Sequence, residues 1–306
     1  ILDEHHQLLK LVAIDSDITA IKEAEAEILQ QKEEIEAQRD EIERQRDIAT
    51  KRGDKIAKQN KEITDSIIYA RRIQSALLPS EETLRELFPD HFIMFKPRDI
   101  VSGDFYWVAE RNGKAVIAAA DCTGHGVPGA FMSMLGFAFL NEIVNKTDEH
   151  QKNITAGEIL DQLRNYVITS LKQTGQRGAT QDGMDIALCV FDKNNSSVQF
   201  AGAFNPLLIV REGELIQYKA DRMPIGFFIK EQNSFTNKTI ELKKGDKLYI
   251  YSDGYIDQFG GEKGRKFLSA NFKKLLLSLN DKTMNEQKEV LQNTFEKWKG
   301  ENFQQI

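Results

Sequence analysis

Isoleucine recurs every seven residues at Ile14, Ile21, Ile28, Ile35 and Ile42, and the frame continues as Ala49, Ile56, Ile63, Ala70 and Leu77. A strict seven-residue apolar repeat predicts a helix that winds into a left-handed coiled coil. β-branched residues at the first seam position favour a parallel dimer. The second seam position holds Ala24, Gln31, Gln38, Gln45, Arg52 and Gln59, which weakens the seam. The alternative is a single solvated helix supported by Glu–Lys and Glu–Arg pairs at helical spacing. Residues 17–78 give a helix roughly 90 Å long at ~1.5 Å per residue, with Gly53 its expected weak point. After Thr64 the helix becomes more apolar, and Ile67, Ile68, Ile73, Leu77 and Leu78 predict packing against the following domain or a partner copy. Pro79 ends the helix. Residues 11–19 read as a strand running into it.

Beyond Pro79 the period changes from seven to two. Alternating and continuous apolar runs predict strands at 92–96, 104–110, 115–121, 184–192, 197–202, 207–211, 214–218, 239–242 and 247–252. Helical patterns cover 129–145, 156–173, 269–279 and 284–299. Strands dominate the middle and helices come in pairs, the order of an α+β sandwich of mostly antiparallel sheets covered by helices.

Composition sharpens this division. Residues 1–68 contain no Phe, Tyr, Trp or Pro and one glycine, Gly53, whereas all 18 Phe lie later. The first part cannot build an ordinary globular core, and the second can. A length of 306 residues suggests about two domains. The net charge of −6 argues against a nucleic-acid partner. The N-terminus carries no signal-peptide pattern, and no apolar run is expected to span a membrane. A start at Ile1 instead of Met points to a piece of a longer protein. Two cysteines, Cys122 and Cys189, make no disulfide framework, which suits a reducing cytoplasm.

Candidate chemistry gathers where apolar strands end in acids. Asp104 starts one predicted strand and Asp121 ends the next, and the turn around Asn112-Gly113 folds the two ends together. Two carboxylates forced side by side repel, and the usual remedies are a bound cation or a shared proton. A third strand, 247–252, ends in Asp253-Gly254. Gly103 stands beside Asp104, and His125 lies between two glycines, suited to proton transfer, metal ligation or plain loop shaping. Arg98 or Lys96 could meet a phosphate, and Asp185 could add an acid at the end of its strand. A cysteine-nucleophile reading of Cys122 fails, since no Arg follows in Thr123-Gly124-His125-Gly126. Zinc fails for lack of a second His or Cys at ligand spacing.

Four motifs carry a family resemblance: Ser102-Gly103-Asp104-Phe105-Tyr106, Asp121-x-x-Gly124-His125-Gly126, Arg222-Met223-Pro224-Ile225-Gly226 and Tyr251-Ser252-Asp253-Gly254. With the lead-in Ala70-Arg71-Arg72-Ile73-Gln74-Ser75-Ala76-Leu77-Leu78-Pro79, they resemble the SpoIIE/RsbU branch of the PPM metal-dependent serine/threonine phosphatases over about 66–306. The resemblance implies a four-layer αββα sandwich with two Mn²⁺ or Mg²⁺ ions. Asp104 would be shared by the ions, Asp121 and the Cys122 carbonyl would hold one, and Asp253 the other. It implies a phosphoserine/phosphothreonine substrate in a partner such as a STAS-type anti-sigma factor antagonist. The implied organisation is a PAS-like sensor end at 1–18, a coiled-coil linker at 19–65, a switch-type helix at 66–78 and the phosphatase domain at 79–306. Here Asp185 stands where the branch usually has an apolar residue. The branch also closes with an Asp-Asp-x-Thr strand carrying a further ligand, and this chain is expected to lack it. The rival reading is therefore a catalytically silent signalling module.

Overall fold

The computed structural model describes residues 4–5, 17–145, 154–176, 178, 180–229, 234–301 and 305. The chain divides into two units, 1–64 and 65–306.

Helix α1 (Thr19–Leu77), whose residues from 65 on belong to the second unit, begins where the Thr19 backbone N–H donates to Asp17 Oδ1 at 2.9 Å, a bond that lowers the Asp17 pKa. The helix runs unbroken past Gly53. Arg44 pairs with Glu41 at 2.6 Å one turn away. The described heptad isoleucines, Ile21, Ile28, Ile35, Ile42, Ile56 and Ile63, all stand exposed, from 57% at Ile56 to 66% at Ile42. The expected strand at 11–19 lies mostly outside the described residues, and Thr19 is already helical.

The second unit stacks four layers. One sheet has the order β1-β2-β3-β4-β7, formed by β1 (Phe105–Arg111), β2 (Lys114–Cys122), β3 (Met184–Asp192), β4 (Ser197–Ala203) and β7 (Lys238–Glu241). The other has β5 (Leu207–Arg211) between β6 (Glu214–Tyr218) and β8 (Lys247–Ile250). All these pairings are antiparallel. Side-chain alternation distributes three cores. Ile186, Leu188 and Val190 of β3 face helices α3 (Gly126–Asn145) and α4 (Ala156–Ser170). Ala187 and Cys189 meet Leu207 and Ile209 of β5 between the sheets. Leu208 and Val210 face α6 (Ser269–Ser278) and α7 (Met284–Lys299). Thr155 and Thr283 begin α4 and α7 with capping boxes to Glu158 and Glu286.

Several expectations need correction. Residues 92–96 form no strand, although their alternation survives: Phe92 and Met94 pack with the α6/α7 core and Ile93 with another cluster. No described strand pairs with them, so the pattern is not converted into a ladder. Short elements add α2 (Glu81–Leu87), one-turn α5 (Gly254–Asp257) and the small pair β9 (Phe259–Gly260) and β10 (Arg265–Lys266). Helix α3 is long and apolar enough to cross a membrane, but half of its most apolar stretch is buried inside the fold, as in a core helix. At the end of α1, Ile73 and Leu77 stay 44% and 36% exposed and the one buried residue is polar Gln74, while Ile67 and Ile68 are half-buried and Leu78, just past the helix, packs against the core under α3 and α4 as expected.

Candidate metal centre

Sheet register builds the site. Asn112 and Gly113 take left-handed φ of 51° and 74°, closing the tight β1–β2 hairpin. The register Phe105↔Ala120 sets Asp104, one residue before β1, level with Asp121. On the other side of β2, Asp121 lies opposite Asp185 of β3. Asp253 follows β8 of the second sheet and leaves its carboxylate unused as a cap of α5. Two sheets thus bring Asp104, Asp121 and Asp253 to one edge.

The carboxylates are coupled. Burial, with the negative charges of Asp104 and Asp253 beside it, pushes the Asp121 pKa up to about 9. Burial also raises Asp104, partly offset by the Ser252 hydroxyl, which donates to Asp104 Oδ2 at 2.7 Å. The Asp104 N–H donates to Ser102 Oγ at 3.0 Å. A cavity of about 360 Å³ opens here, lined by Arg98, Asp99, Asp104, Asp121, His125 and Asp253 among others. Asp185 does not line it. Burial and the Asp253 charge raise the Asp185 carboxyl to about 6. Cys122 lines the cavity, but its buried thiol is pushed well up in pKa, which leaves it inert. A hollow of about 430 Å³ between Gly261 and Trp298 lies among residues outside this constellation.

The donor set fits a hard cation: carboxylate oxygens, with backbone carbonyls close by. A methyl added at Gly103 would stand 2.7 Å from the Gly124 oxygen and 3.2 Å from the Cys122 oxygen. One added at Gly129 would stand 2.5 Å from the Gly124 oxygen. Three backbones therefore meet without side chains. Among the described residues, no group of three or more His, Cys, Asp or Glu side chains is arranged to hold a metal ion by itself. A cation here would also need backbone carbonyl and water oxygens.

His125 sits between Gly124 and Gly126, whose φ values of 84° and 62° are left-handed. Its Nδ1 is 2.9 Å from Asp99 Oδ2, an acid that sequence reasoning passed over despite its place beside Arg98. Lys96 is engaged by Glu296 and lies 5.9 Å from the Phe295 ring. Arg98 is exposed and has no carboxylate partner among the described residues, which makes it the freer cation of the two. Ser252 was legible only as part of its motif.

Comparison with known proteins agrees with this arrangement. The family model for stage II sporulation protein E (SpoIIE) matches residues 111–305. The solved SiaA PP2C domain of Pseudomonas aeruginosa is similar at 34% identity and a TM-score of 0.70, covering 80% of this chain and 94% of that one. The PP2C phosphatase domain with a regulatory-domain fragment of SpoIIE from Bacillus subtilis is similar at 22% identity and a TM-score of 0.51, covering 67% of this chain and 55% of that one. A search of curated protein sequences found no match. With a family match over well more than half its length and an α+β sandwich ending in clustered aspartates, the chain belongs to the SpoIIE family and carries the PP2C-type serine/threonine phosphatase fold.

Proposed function

We propose that residues 79–306 form a metal-dependent phosphatase acting on phosphoserine or phosphothreonine in a partner protein. One observation carries this reading: Asp104, Asp121 and Asp253 converge from two sheets at one cavity beside the Cys122 carbonyl. Asp104, Asp121, Asp253 and the Cys122 carbonyl would hold two Mn²⁺ or Mg²⁺ ions. Such ions would supply an acidified water and offset charge on the phosphoryl oxygens. Arg98 binds the phosphate from the cavity wall, and Asp99 holds His125 with its other ring nitrogen free to pass a proton to the leaving oxygen. Ser252 orients Asp104.

The exposed heptad stripe of α1 supports a dimeric coiled-coil linker that relays the state of an upstream sensor, and the absence of a disulfide among the described cysteines suits a reducing cytoplasm. The family resemblance suggests a STAS-type anti-sigma factor antagonist as substrate. Hydrolysis of a phosphoserine peptide tests the enzyme reading. It is expected to require Mn²⁺ or Mg²⁺ and to vanish in Asp121→Asn. Turnover that survives both chelation and this substitution sinks the two-cation mechanism, and no turnover with either metal leaves a silent binding module.

A further inference from the structure

Of the 59 residues in α1, Gln74 is the buried one. Its carboxamide uses both ends on one residue of the loop before β1. Nε2 donates to the Ser102 carbonyl at 2.7 Å, and Oε1 accepts from the Ser102 N–H at 3.0 Å. A paired bond of this kind is what a neighbouring antiparallel strand makes, yet residues 101–104 belong to no strand. The side chain stands in for the missing ladder. Nε2 also donates to Ser133 Oγ of α3 at 2.8 Å, and that hydroxyl lies 3.1 Å from the Ser102 carbonyl and 2.9 Å from the Ala130 carbonyl. Ser102 in turn accepts the Asp104 N–H on its own hydroxyl. The chain of bonds therefore runs from α1 through Ser102 to the first carboxylate of the site.

Packing alone does not explain the choice of residue. Leu or Met would fill the same volume on a helix whose other inward candidates are apolar. Ser102 is 6% exposed, and without the amide its N–H would lose its acceptor and its carbonyl would keep only the Ser133 hydroxyl. Buried polar networks that are fully satisfied rigidify one geometry. We propose that Gln74 is a positioning residue for Asp104: its two bonds to Ser102 fix the Ser102–Asp104 segment, and losing them weakens cation binding at Asp104. The cation half of this inference rests on the two-cation reading, and the segment half does not.

Gln74→Met keeps the volume and removes both bonds to Ser102. Gln74→Glu keeps an acceptor but sets a carboxylate against the Ser102 carbonyl. Ser133→Ala removes only the side bond. Two readouts apply to protein whose near-UV circular dichroism is native: exchange of the Ser102 amide, and Mn²⁺ affinity by titration calorimetry. In Gln74→Met the amide is expected to exchange at least tenfold faster and Mn²⁺ to bind at least tenfold more weakly. KM for a phosphoserine peptide at saturating Mn²⁺ should change less than twofold. Gln74→Glu should be at least as impaired, with Ser133→Ala intermediate. If Gln74→Met does not fold, the other two variants carry the same readouts. A folded Gln74 variant with wild-type exchange and wild-type Mn²⁺ affinity overturns the proposal. If the wild type takes up no Mn²⁺, the two-cation reading falls, and amide exchange alone decides whether Gln74 holds the segment.

Discussion

Ile21, Ile28, Ile35, Ile42, Ile56 and Ile63 lie one above another along α1 and are each more than half exposed, whereas every residue of β3 from Ile186 to Val190 is buried. The first announces itself by a strict seven-residue apolar period and the second by a continuous apolar run. β3 finds its partners inside the chain, with helices on one face and β5 on the other. The isoleucine stripe finds none among the described residues of its own unit. A periodic pattern states that a face is to be covered, and it does not say by what. Where the covering surface belongs to the same chain, the fold is fixed by one sequence. Where it does not, order depends on concentration.

The carboxylate end of the sheets is the sharpest contrast with the rod, and it predicts the largest effect. Asp253→Asn should lower kcat on a phosphoserine peptide by at least ~10³-fold, about 4 kcal/mol of transition-state stabilisation, with the melting temperature unchanged or raised. A substitution in the rod should leave kcat per folded domain far closer to wild type, and equal losses at both places would erase the contrast.

Core and stripe substitutions separate next. Leu188 is fully buried, so Leu188→Ala should cost about 2–5 kcal/mol at any protein concentration, read by urea unfolding. Replacing Ile35 and Ile42 together by Glu should weaken self-association at least ~tenfold in sedimentation, because charge at the first seam position opposes pairing. It should leave unfolding of the 65–306 unit in place. A wild-type chain that sediments as a monomer at every concentration would make the stripe a solvated face.

The hairpin end also predicts pH dependence. The Asp121 carboxyl titrates near 3.8 in an unfolded chain and at about 9 in the fold. Between those values the folded state holds the extra proton, so in chelator stability falls as pH rises through the window and is flat below it. The melting temperature should drop by several degrees, at about 2–4 °C per kcal/mol for a unit of this size, from pH 5 to pH 8. Asp121→Asn should flatten most of that slope, leaving the smaller part from Asp185, which ends near 6. An unchanged slope in Asp121→Asn would remove Asp121 from the account. The smallest effect is local: Thr283→Ala, which breaks the capping box of α7, should cost about 1 kcal/mol without moving metal affinity.

What the sequence disclosed follows the same division. Asn112-Gly113 is a turn because both residues must enter the left-handed region, and that chemistry is local, so the hairpin and the level placement of Asp104 and Asp121 were legible. The three strand-end aspartates and their motifs were legible for the same reason. Long-range pairing was not. Residues 92–96 alternate as a strand does, yet a ladder needs a partner that no local pattern supplies. The end of α1 looked like an apolar packing face, and the contact that matters there is an amide, because Ser102 needs a donor and an acceptor instead of a methyl group. Asp99 was hidden because its role depends on a loop brought back to His125 from 26 residues away. Helix α3 starts at Gly126, earlier than its apolar run suggests.

At Gly103, Gly124 and Gly129 the site is closed by backbone lying on backbone. Side-chain contacts can be repaired by a second substitution that repacks a rotamer around the first. This contact has no rotamers on either side. Suppressor selections started from Gly103→Ala or Gly129→Ala should therefore return only true revertants, and these two positions should stay invariant when the rest of the cavity wall is randomised.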